Sequence, residues 1–241
     1  MNESCLSLIN IEKTIGSKKI LSDISFSVGK NEIVGLLGPN GAGKTTAFYI
    51  AAGLMFPNQG NVLISNKDVT NEPMHARANL GLGYLPQESS LFPDLSVESN
   101  LFGIAELLKL DQDQKIKKVA KIIDEFNLSK TLQVKGRMLS GGQRRKVEIA
   151  RTLICEPKIM LLDEPFAGID PIAVEEIKEL LLEIAKKNIS ILITDHNVRE
   201  TLSLCNKAII LSNGMIIAEG NEESLKQNSH VKKEYFGEMF S

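Results

Sequence analysis

The hydrophobic pattern changes character twice along the chain. Residues 6–28 alternate loosely between apolar and polar positions, which predicts two short strands around a turn at Gly16. The apolar run at 32–37 predicts a buried strand, and a helical pattern follows it at 44–54. A further strand and turn are expected at 61–70. The first third of the chain is therefore predicted to be rich in strands.

The middle of the chain is predicted to be helical and the end returns to strands. Nearly all of 97–153 has a helical pattern, broken near 127–139. After Pro157, strands are predicted at 158–163, 190–195, 207–212 and 215–220, with a helix at 172–187. This order predicts an α/β fold whose core is made from both ends of the chain, 1–87 and 156–241, with a helical subdomain inserted at 88–155.

The amino-acid composition argues against several classes of protein. The 241 residues are 43% hydrophobic, which is enough for a full core, so disorder is excluded. The net charge of −2 and the lack of a basic block do not favour a nucleic-acid partner. The three cysteines are widely spread, as in a reduced compartment. No apolar run approaches the roughly 20 residues that cross a bilayer, so no direct membrane insertion is expected.

A glycine-rich loop gives the strongest chemical signal. Residues 38–45 read GPNGAGKT, which fits G-x-x-x-x-G-K-[ST] at every fixed position, between a predicted strand and a predicted helix. Backbone N–H groups of such a loop surround phosphate oxygens, the lysine contacts the β- and γ-phosphates, and the hydroxyl can bind Mg²⁺. The predicted nucleotide-binding residues are Gly38, Pro39, Asn40, Gly41, Ala42, Gly43, Lys44, Thr45 and Thr46.

Two adjacent carboxylates follow a predicted buried strand. The run IMLLDE occupies 159–164 and places Asp163 at the strand end, where it can enter the shell of a metal ion together with Thr45. Glu164 can then orient and deprotonate an attacking water. The motif is weak alone, because many strands end in acidic turns, but it becomes specific at this distance behind a phosphate-binding loop.

A second anion site is predicted at the motif LSGGQ, residues 139–143. Val147, Ala150 and Ile154 lie on one face of the helix that follows, and Ser140 is placed to cap it. Two glycines are expected to leave the helix end uncovered, so that it can bind phosphate. A simple loop–helix cap is the competing interpretation. Two phosphate sites on separate subdomains suggest that two copies of the chain share each nucleotide.

The order and spacing of five motifs resemble the ABC ATPase family: GPNGAGKT (38–45), Gln87, LSGGQ (139–143), LLDEP (161–165) and His196. The resemblance covers essentially the whole chain. It implies a single nucleotide-binding domain over 1–241, with a P-loop NTPase (RecA-like) core, an N-terminal antiparallel β subdomain and an inserted helical subdomain. It also implies ATP and Mg²⁺ as cofactors and a homodimer of nucleotide-binding domains.

The same resemblance assigns roles to individual residues. Glu164, His196 and Gln87 would be catalytic, Gln87 would also reach Mg²⁺ beside Thr45 and Asp163, and Asp170 would lie at the dimer seam. The motif at 139–143 would contact the nucleotide of the opposite copy through Ser140, Gly141, Gly142 and Gln143.

A narrower resemblance concerns the cargo. The segments at 83–101, 144–151, 161–171, 193–202 and 230–240 look like the ABC ATPases of lipopolysaccharide export. That subfamily implies two polytopic membrane proteins, LptF/LptG-like, and a cytoplasmic location, peripheral on the inner membrane. The ATPases of branched-chain amino-acid importers are the alternative, and an ABC ATPase that acts on DNA or ribosomes is a more distant one.

The membrane partners are expected to dock near 87–95. Leu85, Pro86, Leu91, Phe92 and Leu95 are predicted to be exposed apolar anchors for a helix of the partner. The alternative is that these side chains only pack the joint between the two subdomains.

Two positions depart from the family pattern. The position at which the family usually has an aromatic residue for stacking on adenine is Ile15, so a stacking contribution of roughly 1 kcal/mol is lost. Gln143 stands where the export subfamily commonly has glutamate. Neither departure affects the reacting groups.

Overall fold

A computed structural model describes residues 4–237, and two sheets organise this part of the chain. Its strands are, in chain order, β1 (Ser4–Ile15), β2 (Lys18–Gly29), β3 (Ile33–Leu37), β4 (Gln59–Ile64), β5 (Lys67–Asp68), β6 (Leu82–Leu85), β7 (Ile159–Asp163), β8 (Ser190–Thr194), β9 (Lys207–Ser212) and β10 (Met215–Gly220). A four-stranded antiparallel sheet has the order β2-β1-β4-β5, and a six-stranded sheet has the order β10-β9-β3-β8-β7-β6.

Helices surround both sheets. In the same part of the chain they are α1 (Lys44–Ala52), α2 (Met74–Ala78), α3 (Val97–Ala105), α4 (Gln112–Glu125), α5 (Gly141–Leu153), α6 (Pro171–Lys186), α7 (Val198–Leu204), α8 (Glu222–Gln227) and α9 (Ser229–Val231). Short 3₁₀ turns lie at Ser129–Thr131 and Gly136–Met138, and a π-helical turn lies at Lys232–Phe236. None of the helices described is long and apolar enough to span a membrane.

The six-stranded sheet explains why distant motifs meet. Strands β3, β6, β7, β8 and β9 are parallel, and β10 runs antiparallel to β9. Every residue of β3, β7 and β8 is buried, because helices cover both faces of a parallel sheet, and this explains their uninterrupted apolar runs. Asp163 is paired with Thr194 at the carboxyl ends of β7 and β8. Ligand-binding loops of α/β sheets extend from this edge.

The α/β fold with an N-terminal antiparallel sheet confirms the expected fold class. Two predicted strands are longer than expected, since β1 and β2 each have 12 residues. The predicted helical stretch is three α-helices, with a first interruption after Ala105. The edge strand β6 was missed, because Gly83 and Tyr84 interrupt its apolar pattern. Helices α2, α7, α8 and α9 were also missed.

One large hydrophobic cluster joins the inserted helices to the core. Leu101 of α3, Val119 of α4 and Val147 of α5 belong to the same buried cluster as Met160 of β7 and Ile193 of β8. The segment 230–240 that carries part of the narrower resemblance is described as far as Gly237, and its last residues lie outside the described part.

Candidate nucleotide site

A cavity of about 470 Å³ opens at the carboxyl edge of the parallel sheet. It gathers residues of the glycine-rich loop, the end of β7 and the segment after β8. The lining residues are Lys18, Ile20, Asn40, Gly41, Gly43, Lys44, Thr45, Thr46, Asp163, Glu164, Thr194 and His196. The sequence motifs thus meet in one place. Lys18, Ile20 and Thr194 were missed, although the first two lie close in sequence to Ile15, the position expected to contact adenine.

The loop after β3 has the backbone of a phosphate cradle. Gly38 has φ of 147°, and a Cβ there would lie 2.1 Å from the carbonyl oxygen of Leu211, so only glycine fits. Gly43 is the N-cap of α1 and no side chain caps the helix, which leaves its first N–H groups turned towards the cavity. The helix N-terminus can therefore bind an anion.

Lys44 supplies the positive charge of this cradle. Its side chain is buried, and Nζ donates hydrogen bonds to the carbonyl oxygens of Gly38 at 2.8 Å and Pro39 at 3.0 Å. Burial lowers the pKa of Lys44, and the negative charge of Glu164 opposes that shift. The ammonium group is thus held at the loop by carbonyl oxygens.

The carboxylate of Glu164 is held from both sides. Nε2 of Gln87 donates a hydrogen bond to Oε2 at 2.8 Å, and Nε2 of His196 lies 2.7 Å from Oε1. The backbone N–H of Glu164 donates to the carbonyl oxygen of Thr194 at 2.7 Å. These contacts join three residues that the sequence analysis placed together, and they fix one carboxylate at the mouth of the cavity.

Asp163 lies deeper than Glu164. It is 6% exposed, and its pKa is raised to about 6 by burial and then by the negative charge of Glu164. Tyr84, which sequence reasoning missed, opposes this rise in the pKa of Asp163. Two adjacent carboxylates, one of them buried with a raised pKa, favour the binding of a cation between the carboxylates and a phosphate.

The residues present fit Mg²⁺ bound together with phosphate. No group of three or more histidine, cysteine, aspartate or glutamate side chains within 4–237 could form a metal cage of its own. Mg²⁺ commonly takes one or two protein oxygens and completes its shell with phosphate and water. The hydroxyl of Thr45 and the carboxylate of Asp163 line the same cavity and are donors of this kind.

The motif at 139–143 begins α5 at a different place. Ser140 caps the helix by accepting from the Gln143 N–H at 3.3 Å, and the Gln143 side chain accepts from the Ser140 N–H at 3.1 Å. A Cβ on Gly142 would lie 2.5 Å from that of Ala173. Gly142 therefore packs against α6 of the same chain, whereas Ser140 and Gly141 are exposed.

Asp170 lies close to this motif and away from the first cavity. It caps α6 by accepting from the Ala173 N–H at 3.1 Å. A second cavity of about 220 Å³ includes Gln87, Gly141 and Gly168 in its lining. Within the described part of the chain, none of the residues lining the first cavity comes from 139–143 or from Asp170.

A buried charge network that the sequence analysis missed joins α5 to the segment of Glu164. Arg145 donates to the carbonyl oxygens of Pro86 at 3.0 Å, Gln87 at 3.3 Å and Glu164 at 3.2 Å. It also pairs at 3.1 Å with buried Glu148, which accepts from the Ser89 hydroxyl and the Ser90 N–H. Charged residues at buried positions of the helix in 144–151 were the sequence signal that could have predicted this network.

The expected docking anchors are only partly exposed. Leu85 and Leu91 are 1% and 7% exposed, so the prediction that they are exposed anchors was wrong: one ends β6 and the other packs with the inserted helices. Phe92 and Leu95 are 56% and 44% exposed. Buried Asn100 fixes their loop, because its side chain accepts from the Phe92 N–H and donates to the carbonyl oxygens of Phe92 and Leu95.

A P-loop between a parallel strand and a helix, with carboxylates at the end of a neighbouring strand, defines a P-loop nucleoside triphosphatase. Sequence comparison narrows this class. Residues 21–167 match the family described as ABC transporter. The chain belongs to the ABC transporter family, as one of its ATP-hydrolysing cassettes.

Curated relatives and solved structures are similar over nearly the whole length. The lipopolysaccharide export system ATP-binding protein LptB of Haemophilus influenzae is 49% identical over 98% of this chain and 99% of its own. LptB of Escherichia coli K12 is 46% identical over 96% of each chain. A cassette of an ABC transporter crystallised in its ADP conformation aligns with a TM-score of 0.88, at 30% identity, over 97% of this chain and 99% of its own.

Proposed function

We propose that this chain is the ATPase subunit that powers extraction and export of lipopolysaccharide from the inner membrane. The hydrolytic part of this proposal rests on one observation: the Glu164 carboxylate is held between Gln87 and His196 at the mouth of the P-loop cavity. The identity of the cargo rests on the near full-length similarity to proteins named for lipopolysaccharide export.

The P-loop would bind the phosphates of ATP. The N–H groups from Gly41 to Thr46 surround them, and Lys44 contributes its ammonium group at the β- and γ-phosphates. Thr45, Asp163 and Gln87 would hold Mg²⁺, which when bound neutralises charge that develops on the phosphates. The raised pKa of Asp163 fits a carboxylate that is most stable beside a cation.

Glu164 is the proposed general base. Its two oxygens already accept from Gln87 and contact His196, so a water beside the carboxylate would be oriented before it attacks the γ-phosphate. His196 would hold the water and the γ-phosphate in register. The Arg145 bonds to the carbonyls of Gln87 and Glu164 hold these two segments together.

A second copy of the chain is proposed to complete the site. Ser140, Gly141, Gly142 and Gln143 lie outside the P-loop cavity, yet Ser140 and Gly141 are exposed at a helix N-terminus. Two copies in opposite orientation would bring each such helix end to the other's ATP, with Asp170 at the seam. Closure would exclude water, and hydrolysis would loosen the dimer.

The membrane partners are proposed to dock at the loop of Phe92 and Leu95, beside a cavity of about 320 Å³ lined by Leu91, Pro93 and Arg137 among others. Asn100 holds this loop rigid, so its two apolar side chains are presented without a large ordering cost. The partners would be two polytopic proteins, and the chain would lie peripherally on the cytoplasmic face of the inner membrane.

Affinity purification from membranes tests the cargo. Co-purification of two different polytopic proteins with large periplasmic domains, and retention of lipopolysaccharide by the complex, is the expected result. Recovery of a permease pair together with a periplasmic amino-acid receptor would instead establish the importer alternative. Recovery of DNA or ribosomes without polytopic proteins would contradict both transport functions.

Truncation of Phe92 tests the docking surface. Phe92→Ala should lower the amount of membrane partner recovered at least severalfold, because an apolar anchor is removed from the centre of the contact. Phe56→Ala is the matched control, since Phe56 is 44% exposed at a different surface. If ATP hydrolysis by the purified chain falls in proportion to partner recovery, Phe92 packs the joint between subdomains instead.

A further inference from the structure

A cavity of about 300 Å³ lies at the joint between the inserted helices and the core. The insert contributes residues of α4 and the end of α5, and the core contributes the residues that lead into β7 and β8. The cavity therefore lies at the amino ends of these strands, whereas the nucleotide site lies at their carboxyl ends. Within residues 4–237, no residue lines both this cavity and the P-loop cavity.

Part of the lining is apolar and comes from both sides of the joint. Ile122 of α4 and Leu153 of α5 are each 7% exposed. Ile189, half-buried just before β8, packs against the hydrophobic cluster that contains both of them. Small-molecule sites commonly enclose roughly 300–1,000 Å³, are mainly apolar and lie at joints between domains. The cavity has the size, lining and place of such a site.

The polar part of the lining carries an excess of positive charge. Four lysines and two glutamates line the cavity, although the whole chain has a net charge of −2. Lys118 and Lys121 come from α4, and Lys158 and Lys187 come from the core. Glu156 pairs with Lys118 at 2.5 Å. Positive charges that converge on one cavity from two subdomains favour the binding of an anion.

The second glutamate leaves two ammonium groups incompletely neutralised. The carboxylate of Glu125 is shared between Nζ of Lys187 at 2.9 Å and Nζ of Lys121 at 3.8 Å. No carboxylate within residues 4–237 pairs with the ammonium group of Lys158. Lys121 and Lys158 are therefore the groups that an anion in the cavity would neutralise, one from each side of the joint.

We propose that this cavity binds a small amphipathic anion. Its head group, a carboxylate or a phosphate, contacts Lys121 and Lys158, and its apolar chain lies on Ile122 and Ile189. An ammonium group acts as a point charge and binds either head group. Because the ligand contacts the insert and the core at once, it favours the arrangement of the two subdomains in which both contacts are made.

Ligands that share one chain and differ in the head group test this proposal on the full-length protein. With isoleucine methyl groups labelled with ¹³C, titration with octanoate or octyl phosphate should shift the NMR signals of Ile122 and Ile189 until they saturate. Ile116, which is 48% exposed on the same helix and outside the lining, should not shift. Octylammonium has the opposite charge and acetate lacks the chain, so neither should shift the three signals. The anion of higher affinity identifies the head group.

Removal of one ammonium group tests the contact with the head group. Lys158→Gln should weaken octanoate or octyl phosphate binding about two- to fivefold, the effect expected of one partly exposed ion pair. Lys109→Gln is the matched control, since Lys109 is exposed and outside the lining. Both variants should hydrolyse ATP like the wild type, because neither residue lines the P-loop cavity.

Three results would overturn the proposal. Absence of a saturable shift at Ile122 and Ile189 with both anions would show that the cavity binds no ligand of this kind. Equal shifts with octylammonium would show that the apolar chain binds without selection for charge. Equal affinity of Lys158→Gln and Lys109→Gln for the anions would show that Lys158 does not contact the head group.

Discussion

Two helix N-termini with glycine at or beside the N-cap have opposite construction in this protein. Helix α1 has Gly43 as its N-cap and no side-chain cap, and its N-terminus lies in a cavity that Lys44, Asp163 and Glu164 also line. Helix α5 has Ser140 as its N-cap within a complete capping box, and this end is exposed and lies outside that cavity. The first end is ready to bind phosphate within its own chain. The second is satisfied by its own side chains and needs an approaching ligand to compete with them.

This difference explains why one cassette should be insufficient. The groups that would bind and attack ATP are assembled within one chain, because parallel strands bring them to one edge. The exposed end of α5 adds a contact only when another surface carries a nucleotide to it. Substitutions near the N-terminus of α1 should therefore change nucleotide binding by a single chain. Substitutions at the N-terminus of α5 should change the association of two chains.

The largest effect is expected at Lys44. Lys44→Ala should abolish productive ATP binding and hydrolysis, because the positive charge at the phosphates is lost. Equilibrium nucleotide binding and phosphate release measure this. Lys115→Ala is a matched control, since Lys115 is equally buried and pairs with Glu106 far from the site. Wild-type hydrolysis by Lys44→Ala would show that the P-loop lysine does not bind the phosphates of ATP.

The next largest effect is expected at Glu164. Glu164→Gln should lower turnover by about 10²–10⁴-fold, the usual contribution of a general base, while ATP still binds. Steady-state phosphate release together with nucleotide affinity separates these two quantities. Glu106→Gln serves as a surface control. Hydrolysis by Glu164→Gln near the wild-type rate would assign the base to another residue.

A smaller and more selective effect is expected at Ser140. Ser140→Ala and Asp111→Ala each remove a capping box, from α5 and α4 respectively, and each should cost about 1 kcal/mol of stability. Only Ser140→Ala should also lower ATP-dependent association and hydrolysis. The two variants are compared by thermal unfolding, by ATP-dependent association and by ATP hydrolysis. Equal loss of hydrolysis in both would mean that the motif is only a structural cap.

The smallest effect is expected at Ile15. It is 48% exposed at the end of β1, where the family usually has an aromatic residue. Ile15→Tyr should tighten ATP binding by up to about tenfold, since stacking on the base adds roughly 1 kcal/mol. Ile9→Tyr introduces the same side chain at an exposed position of the same strand. Equal changes in nucleotide affinity in both variants would show that Ile15 is not at the base.

The parts of the site that the sequence predicts best are those determined by residues close to one another in the chain. The glycine spacing around Lys44 and the pair Asp163 and Glu164 are local patterns. Ser140 was likewise expected as an N-cap, and the capping box confirms that expectation. These features follow from the neighbours of each residue in sequence.

Features with partners distant in sequence were missed or misjudged. Arg145 and Asp195 read as ordinary charged residues, because their partners are backbone groups of other segments. Leu91 was expected to be exposed, since a loop pattern does not show that inserted helices cover it. Tyr235 is separated from the P-loop by nearly the whole chain, so only the fold packs it against the cluster that contains Leu37.

The mass of Glu164→Gln in solution tests most directly whether two copies of the chain share each nucleotide. The variant should bind ATP–Mg²⁺ without turnover and leave the closed pair trapped, so light scattering after size-exclusion chromatography should show a mass that doubles when ATP–Mg²⁺ is added. Adding Ser140→Ala to this variant should reduce the doubled fraction. A mass of one chain at saturating nucleotide, with binding verified in the same sample, would contradict the shared site.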